Sequence, residues 1–219
     1  MSKSICFYHS GDFDGHCSGA IVHSLIGADM YGVNYGDTLP KSVLHEHRYN
    51  TVYVVDFTFS EDEMRYLAIN YNFVWIDHHK TNEGLFKELI ENNNNVVGLF
   101  DTQYAACELT WVFCNNIRNF NLVPRAVELL GRYDVWDHSD PDVLPFQYGM
   151  RLHYGRSLPT DDFWDGFVNY CDHEIMSHIE KIIDDGNIIL DYQKQIDEKL
   201  ARNAFPIGIG GYFGIAINT

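Results

Sequence analysis

Long apolar runs are missing from this sequence, and proline is scarce, with only 6 in 219 residues. The longest apolar stretch, residues 51–59, is far shorter than the ~20 residues that span a bilayer, and Asp56 interrupts it. The N-terminal MSKSICFYHS lacks the apolar region of a secretory signal. With 46% hydrophobic residues, the composition also excludes a disordered or collagen-like chain. We therefore expect a soluble, cytoplasmic protein with no membrane association.

Basic residues and paired cysteines are also in short supply. Fifteen Lys and Arg residues against 31 Asp and Glu give a net charge of −16, which repels long polyanions. This balance argues against non-specific coating of DNA. The five cysteines are odd in number and form no C-x-x-C pair, which predicts free thiols in a reducing compartment rather than a zinc ribbon or a redox motif.

Short strand-like runs alternate with helical patterns through the first half of the chain. This alternation predicts an α/β fold, a doubly wound and mostly parallel sheet of about five strands with helices on both faces. The predicted strands cover residues 4–10, 29–35, 51–57, 73–77 and 95–101. The predicted helices between them cover residues 16–26, 61–70, 85–91 and 104–115.

Beyond Pro124 the strand signal disappears and helical spacing replaces it. Helices are predicted over residues 124–133, 161–170 and 172–203, before a last strand-like run at 212–218. We expect an α/β core over residues 1–140, a helical extension with a long connector helix over 141–205, and the first strand of a missing or truncated second domain over 206–219. The apolar stripe of the long helix packs either on its own domain or on a second copy, as a homodimer seam.

Carboxylates and histidines follow the ends of three predicted strands, and one more aspartate lies at a helix end. These residues are His9, Asp12, Asp14, Asp56, Asp77, His78, His79 and Asp134. Because open parallel sheets bind ligands outside the carboxyl ends of their strands, we expect the strand-end groups to converge. Asp12 and Asp14 are two residues apart in a segment expected to be extended, so their side chains would point the same way.

Bare carboxylates this close repel one another, and divalent cations would remove the conflict. The four aspartates outside the Asp77-His78-His79 triplet bring a charge of −4, which two divalent cations balance. A shared carboxylate would hold the cations about 3.5–4 Å apart, the spacing of two-metal phosphoryl hydrolases. Mixed carboxylate and imidazole ligands suit Mn²⁺, with Mg²⁺ or Co²⁺ as alternatives, better than structural Zn²⁺. The candidate ligands are His9, Asp12, Asp14, Asp56, His78 and Asp134.

The order of these motifs resembles the DHH phosphoesterase superfamily. Asp77-His78-His79 after a hydrophobic strand matches the triplet that names the superfamily, and the segment from residue 9 to 15 (HSGDFDG) resembles its first motif. Asp56 and Asp134 resemble its second and fourth motifs. The resemblance covers roughly residues 4–140. It implies a relative of RecJ-type exonucleases and nano-RNases, in a superfamily that also includes cyclic-dinucleotide phosphodiesterases and manganese-dependent inorganic pyrophosphatases.

Carried over by position, the resemblance implies a role for each residue of the cluster. One Mn²⁺ ion would be held by His9, Asp12 and Asp56. The second ion would be held by Asp14, Asp56, His78 and Asp134. Asp56 would be shared, His79 would contact the substrate phosphate, and Asp77 would orient the histidines. Asp56, Asp77 and His79 are therefore the catalytic candidates.

Two basic residues and three tryptophans lie near or between the motifs. Lys80 and Arg132 are substrate-binding candidates because either could hold phosphate charge, and a surface ion pair is the alternative for each. The tryptophans are expected in the core rather than stacked on bases. They are Trp75, Trp111 and Trp136.

The glycine-rich G-G-G-H-type motif of the superfamily's substrate-binding domain does not occur, since Gly208-Ile209-Gly210-Gly211 lacks the histidine. The resemblance thus implies a catalytic domain without its C-terminal substrate-binding domain. We expect Mn²⁺-dependent, two-metal hydrolysis of short single-stranded oligonucleotides or dinucleotides to 5′-mononucleotides. The alternatives are an inorganic pyrophosphatase, a cyclic-dinucleotide phosphodiesterase, and a metal- or nucleotide-binding module without turnover.

Overall fold

A computed structural model describes residues 3–117, 119–169 and 173–217, and its centre is a five-stranded, all-parallel sheet. The strands are β1 (Ser4–His9), β2 (Asp29–Val33), β3 (Thr51–Val55), β4 (Asn72–Asp77) and β5 (Val96–Phe100). Their order across the sheet is β2-β1-β3-β4-β5, so the topological switch point lies between the neighbouring strands β1 and β3. The predicted fold class and all five core strands are confirmed.

Helices connect the strands and then continue beyond the sheet. They are α1 (Phe13–Ile26), α2 (Lys41–His47), α3 (Glu61–Asn70), α4 (Glu83–Asn92), α5 (Ala106–Cys114), α6 (Arg125–Asp134), α7 (Val143–Tyr154), α8 (Phe163–Asn169) and α9 (His173–Ala201). The sequence analysis did not predict α2, which is short, or α7, in which Pro145 and Gly149 interrupt the helical pattern. A few positions of these predictions lie outside the described residues. They are Tyr170, Asp172 and Asn218 of the predicted helices and last strand, and the predicted free thiol of Cys171.

Both faces of the sheet are covered, as near-continuous apolar strands require. Phe7 and Trp75 lie on one face and pack in a buried cluster with residues of α2, α3 and α4. Cys6 and Ile76, each one position along the same strands, lie on the opposite face with residues of α1 and α5. The alternation of side chains therefore produces the doubly wound arrangement that the sequence predicted.

Helices α6 to α9 form a further layer outside α1 and α5. Trp164 of α8 is buried in a cluster to which α1, α5, α6, α7 and α9 all contribute. The backbones of α7 and α9 touch at two glycines. A Cβ at Gly149 would lie 2.0 Å from the carbonyl oxygen of Ile182, and one at Gly186 would lie 1.8 Å from that of Pro145. The extension is thus packed on the α1 side of the sheet.

Helix α9 differs along its length. Ile179 and Ile182 are buried, whereas Ile188 and Ile196 are exposed. The first half therefore packs on its own domain, and a homodimer through the second half stays a prediction. Within the described ranges, no helix combines the length and the apolar character needed to cross a bilayer.

After α9 the chain forms an antiparallel hairpin of β6 (Phe205–Ile209) and β7 (Tyr212–Ala216). Gly210 and Gly211 form its turn with φ values of +57° and +88°, which glycine adopts without steric cost. Strand β7 confirms the predicted final strand. The preceding glycine-rich segment, for which no strand was predicted, is its partner β6. The proposed division into three regions stays a prediction.

Candidate metal centre

Strands β1, β3 and β4 end side by side at one edge of the sheet. His9 is the last residue of β1, Asp56 directly follows β3, and Asp77 is the last residue of β4, ahead of His78. Because β3 pairs in parallel with both neighbours, these ends meet as predicted. Asp56 has a φ of +53°, a left-handed conformation that aspartate tolerates better than most residues.

Asp12 has an extended backbone but Asp14 is helical, so the prediction of one extended segment that carries both is wrong. Asp12 is the N-cap of α1, and its Oδ1 accepts a hydrogen bond from the Gly15 N–H at 3.0 Å. Asp14 lies in the first helical turn. Aspartate is among the most favourable N-cap residues, and the helix therefore begins at Phe13 rather than at His16. The two carboxylates reach the cluster from the cap and from the first turn.

One part of the cluster, here called the His9 half, consists of His9 and Asp12 beside Asp56. His9 Nδ1 lies 3.0 Å from Asp12 Oδ2 and 3.5 Å from Asp56 Oδ2. These contacts, first with Asp12 and then with Asp56, raise the pKa of His9 to about 10. Burial raises the pKa of the Asp12 carboxyl, but hydrogen bonds with His9 and Gly15 outweigh this effect and hold that pKa below its usual value. Histidine and aspartate therefore balance each other's charge in this half.

The other part, the His78 half, consists of His78, Asp14 and Asp134. His78 Nε2 lies 3.3 Å from Asp134 Oδ2, 3.7 Å from Asp14 Oδ2 and 3.5 Å from Oδ1 of the shared Asp56. Burial, followed by the charges of neighbouring aspartates, raises the pKa of Asp14 well above its usual value. Burial is also the main cause that raises the pKa of Asp134 to about 6. In this half, three carboxylates, counting the shared Asp56, therefore surround a single histidine.

Asp14 is fixed by the start of helix α5. Its Oδ1 accepts a hydrogen bond from the Cys107 N–H at 2.7 Å, and its Oδ2 accepts one from the Ala106 N–H at 3.0 Å. These are N–H groups of the first helical turn, which have no partner inside the helix. The helix terminus therefore holds the buried carboxylate in place and favours its negative charge. Sequence reasoning found Asp14 but not this support, which comes from a segment more than 90 residues away.

Both carboxylate oxygens of Asp77 accept several hydrogen bonds, and Asp77 does not belong to the groups of candidate metal ligands described below. Its Oδ1 accepts from the His78 and His79 N–H groups at 2.8 and 3.2 Å, and it contacts His79 Nδ1 at 2.7 Å. Its Oδ2 accepts from Thr58 Oγ1 at 3.0 Å and Asn82 Nδ2 at 2.7 Å. Contact with Asp77 is the main cause that raises the pKa of His79 to about 9. Thr58 and Asn82 carried no sequence signal because neither belongs to a motif.

The donor set fits a pair of cations. Three groups place one ligand atom per residue within 4.8 Å of each other. They are His9 with Asp12 and Asp56, Asp14 with His78 and Asp134, and Asp56 with His78 and His79. Asp56 Oδ2 is buried and makes no hydrogen bond within the part of the chain that the structure describes, since His9 Nδ1 lies 3.5 Å away, and a cation would satisfy it more fully. Carboxylate oxygens together with imidazole nitrogens are ligands that Mn²⁺ accepts.

Two glycines set the position of His9. A Cβ at Gly15 would lie 2.0 Å from the carbonyl oxygen of His9, so only glycine lets α1 begin this close to the end of β1. A Cβ at Gly11 would lie 2.7 Å from Nε2 of the His9 ring. The first contact is with backbone and the second with a side chain that can move, so the two glycines differ in how strictly they are required.

The two substrate-binding candidates lie in different surroundings. Arg132 forms ion pairs with Asp137 at 2.9 Å, Glu128 at 3.3 Å and Asp140 at 3.6 Å. Its charge is therefore already compensated, which is the alternative that the sequence analysis left open. Lys80 is exposed in a short turn after His79 and has no carboxylate partner among the residues that the structure describes. Lys80 is thus the better placed of the two to meet an anion.

The tryptophan expectations hold for two of three positions. Trp75 and Trp111 are buried as predicted, but Trp136 is 84% exposed, so the core prediction for it is wrong. Helix α6 ends at Asp134, and Trp136 follows in a turn with a φ of +60°, which directs the chain away from the core. Tyr35 is a second exposed aromatic residue, and its ring centroid lies 5.1 Å from that of His9.

Comparisons with known proteins do not identify a family for this chain. No protein-family model matches the chain, and a search of curated proteins gives no match. The fold is a common architecture that hosts many activities, so function must be argued from the arrangement of the side chains.

Proposed function

We propose that this chain is a Mn²⁺-dependent phosphodiester hydrolase of the DHH type. Its substrates would be short single-stranded oligonucleotides or dinucleotides, released as 5′-mononucleotides. The observation that carries the proposal is the shared, incompletely satisfied carboxylate of Asp56 between the His9 half and the His78 half. Two cations bound there would activate a water molecule and stabilise charge on the phosphoryl oxygens.

The chain's own residues would position the phosphate. Asp77 holds the Nδ1 side of His79, which leaves the opposite ring nitrogen free to donate a hydrogen bond to a phosphoryl oxygen. Ligand atoms of His79 and Asp56 lie within 4.8 Å of each other, so a phosphate that contacts His79 also lies beside the shared carboxylate. Asp77 acts through His79 and is a positioning residue.

Two exposed aromatic side chains favour a nucleotide over pyrophosphate. The Tyr35 ring lies beside His9, and Trp136, two residues after Asp134 in sequence, is 84% exposed. A dinucleotide carries one base on each side of its phosphodiester, and bases stack on exposed aromatic rings. Inorganic pyrophosphate has no such group, and Arg132, which could have held its charge, is already compensated by carboxylates.

The free thiols of Cys6, Cys17, Cys107 and Cys114 support a reducing, cytoplasmic location for this enzyme. The same location would supply short oligonucleotides as substrates. This part of the proposal is tested by fractionation of cells that express the chain.

The hydrolase proposal is tested by product analysis with Mn²⁺. We expect mononucleotide release from a 5′-phosphorylated diribonucleotide or a short single-stranded DNA, and a loss of at least about 100-fold in Asp56→Asn. Asp184→Asn, an exposed aspartate of α9, is the matched control and should keep full activity. Phosphate release from pyrophosphate, or linear product from a cyclic dinucleotide, would favour the alternative enzymes. Bound Mn²⁺ without turnover of any substrate would indicate a binding module.

A further inference from the structure

A cavity of about 400 Å³ opens next to the His9 half. It lies between the β1–α1 loop and the end of α7, at the same edge of the sheet as the metal centre. Asp12 belongs both to its wall and to the metal centre, so the two sites are contiguous. The volume is within the range of pockets that hold nucleotide-sized ligands.

Two arginines of this wall have no carboxylate partner among the residues that the structure describes. Arg151 donates a hydrogen bond to the Tyr133 hydroxyl at 3.0 Å, and Arg156 is exposed. No ion pair of either arginine occurs within the described ranges. By contrast, Arg125 and Arg132 are each held by several acidic side chains. In a chain with a net charge of −16, two uncompensated guanidinium groups beside a cavity form a local site for an anion.

The same wall contains polar atoms that are buried without partners. Gln147 is 5% exposed and Ser157 is 8% exposed, and within the described part of the chain neither Gln147 Oε1 nor Ser157 Oγ has a hydrogen-bond partner. His16 Nδ1 is also without one, although its Nε2 contacts the Ser10 carbonyl at 3.2 Å. Buried polar atoms normally have partners, so a cavity with three orphaned atoms fits a polar ligand. Gln147 Oε1 accepts hydrogen bonds, and a sugar hydroxyl would supply the donor.

We propose that this cavity binds the terminal nucleotide of the substrate. Arg151 and Arg156 contact its phosphate monoester, and Gln147 contacts a ribose hydroxyl. Residues of the helical extension thereby bind the substrate, and they favour oligoribonucleotides that carry a terminal phosphate. This inference rests on the hydrolase proposal for its substrate class, but it makes a separate claim about binding.

The test measures binding without turnover, on the full chain in the presence of a metal chelator. The ligands are diadenosine dinucleotides with a 5′-phosphate, with a 3′-phosphate, or with neither, and the 5′-phosphorylated deoxy analogue. We expect one phosphorylated form to bind about tenfold more tightly than the unphosphorylated form, and Arg156→Gln and Arg151→Gln to remove that preference. Arg202→Gln, at an exposed arginine after α9, is the charge-matched control and should retain it.

A second variant separates the sugar contact from the phosphate contact. Gln147→Met keeps the side-chain size, so we expect it to reduce the preference for ribose over deoxyribose about threefold and to leave the phosphate preference intact. Unchanged phosphate preference in both arginine variants would overturn the inference. If hydrolysis by the wild-type chain is nevertheless observed, the proposed function survives that result. Phosphate preference that depends on Arg156, without any hydrolysis, would support the cavity and contradict the enzyme.

Discussion

The His9 half and the His78 half of the candidate metal centre contain similar side chains, which are held in different ways. Asp12 is held by the Gly15 N–H of its own helix and by His9 Nδ1, each at 3.0 Å, and its side chain is 41% exposed. Asp14 is held by two N–H groups of α5, and its side chain is 1% exposed. Of two carboxylates separated by one residue, one is therefore a solvent-accessible candidate ligand and the other a buried one.

The charge balance of the two halves differs in the same way. In the His9 half, one histidine meets Asp12 at 3.0 Å and the shared Asp56 at 3.5 Å. In the His78 half, one histidine meets Asp14, Asp134 and the shared Asp56. The excess of buried negative charge means that the His78 half gains more from a cation than the His9 half does. We therefore expect the buried His78 half to discriminate more strictly between cations, and the more open His9 half to tolerate the loss of a ligand better.

The largest effect is expected when the two aspartates are replaced separately. Asp14→Asn and Asp12→Asn should each lower hydrolysis about 100-fold at low Mn²⁺. A water molecule can replace the exposed ligand at Asp12, so higher Mn²⁺ should restore much of the activity of that variant. No water has access to replace Asp14. Activity measured against Mn²⁺ concentration, with bound metal counted per chain, checks this difference.

The opposite result would contradict the comparison. If Mn²⁺ rescues Asp14→Asn and fails to rescue Asp12→Asn, burial does not determine the ligand's importance. Asp184→Asn again serves as the control for the loss of one exposed carboxylate.

A second prediction concerns the two glycines around His9. Gly15→Ala places a Cβ against the backbone of β1, so we expect a loss of about 3 kcal/mol or more in the free energy of unfolding. For a chain of this size that loss corresponds to a decrease of about 6–12 °C in Tm. Gly11→Ala meets only the His9 ring and should cost less than about 1 kcal/mol, while it weakens metal binding in the His9 half. Thermal unfolding and metal titration of both variants provide the measurement.

A third prediction concerns Glu108 in the first turn of α5, the helix whose start holds Asp14. It is buried, its Oε2 accepts a hydrogen bond from the Ala105 N–H at 3.2 Å, and burial raises its pKa from 4.5 to about 7. Its contribution to stability is therefore fully present below about pH 4 and is lost as the pH rises through about 7. Glu108→Gln keeps the acceptor and removes the charge. It should stabilise the metal-free protein at pH 8 by up to about 3 kcal/mol and give no gain at pH 4.

The comparison of unfolding free energies at the two pH values isolates this residue from the titrating cluster. Glu180→Gln, at an exposed carboxyl of α9, controls for the loss of one negative charge. A gain of equal size at both pH values would mean that the effect comes from packing rather than from the buried charge.

The sequence predicted the sheet because each strand is a short apolar run between helical patterns, and buried parallel strands have that signature. It also predicted which side chains would meet, since the ends of parallel strands share one edge. It predicted the wrong conformation for Asp14, because a helix start with a good N-cap and an extended segment look alike over three residues. The error did not affect the cluster, as both conformations bring the carboxylates to the same edge.

Support from distant segments had no local signal. The N–H groups that hold Asp14 come from α5, and Asn82, which holds Asp77, lies beyond the motif in sequence. Helix α7 was missed because Pro145 and Gly149 obscure its pattern, although Gly149 is where α7 meets α9. The cavity beside Asp12 depends on α7, so it was not predictable from the motifs alone.

The smallest effect is expected at the exposed aromatic residues Tyr35 and Trp136, and it tests whether substrate bases stack on these rings. Tyr35→Ala and Trp136→Ala should each raise KM for a dinucleotide about fivefold with kcat unchanged, because stacking holds the bases in ground state and transition state alike. Trp136→Phe should restore most of the loss, and Tyr192→Ala, at an exposed ring of α9, should have no effect. A rise in KM for only one variant would mean that one base is recognised and the other is not. Unchanged KM in both would remove the main argument for a nucleotide over pyrophosphate, since no base would then stack on either ring.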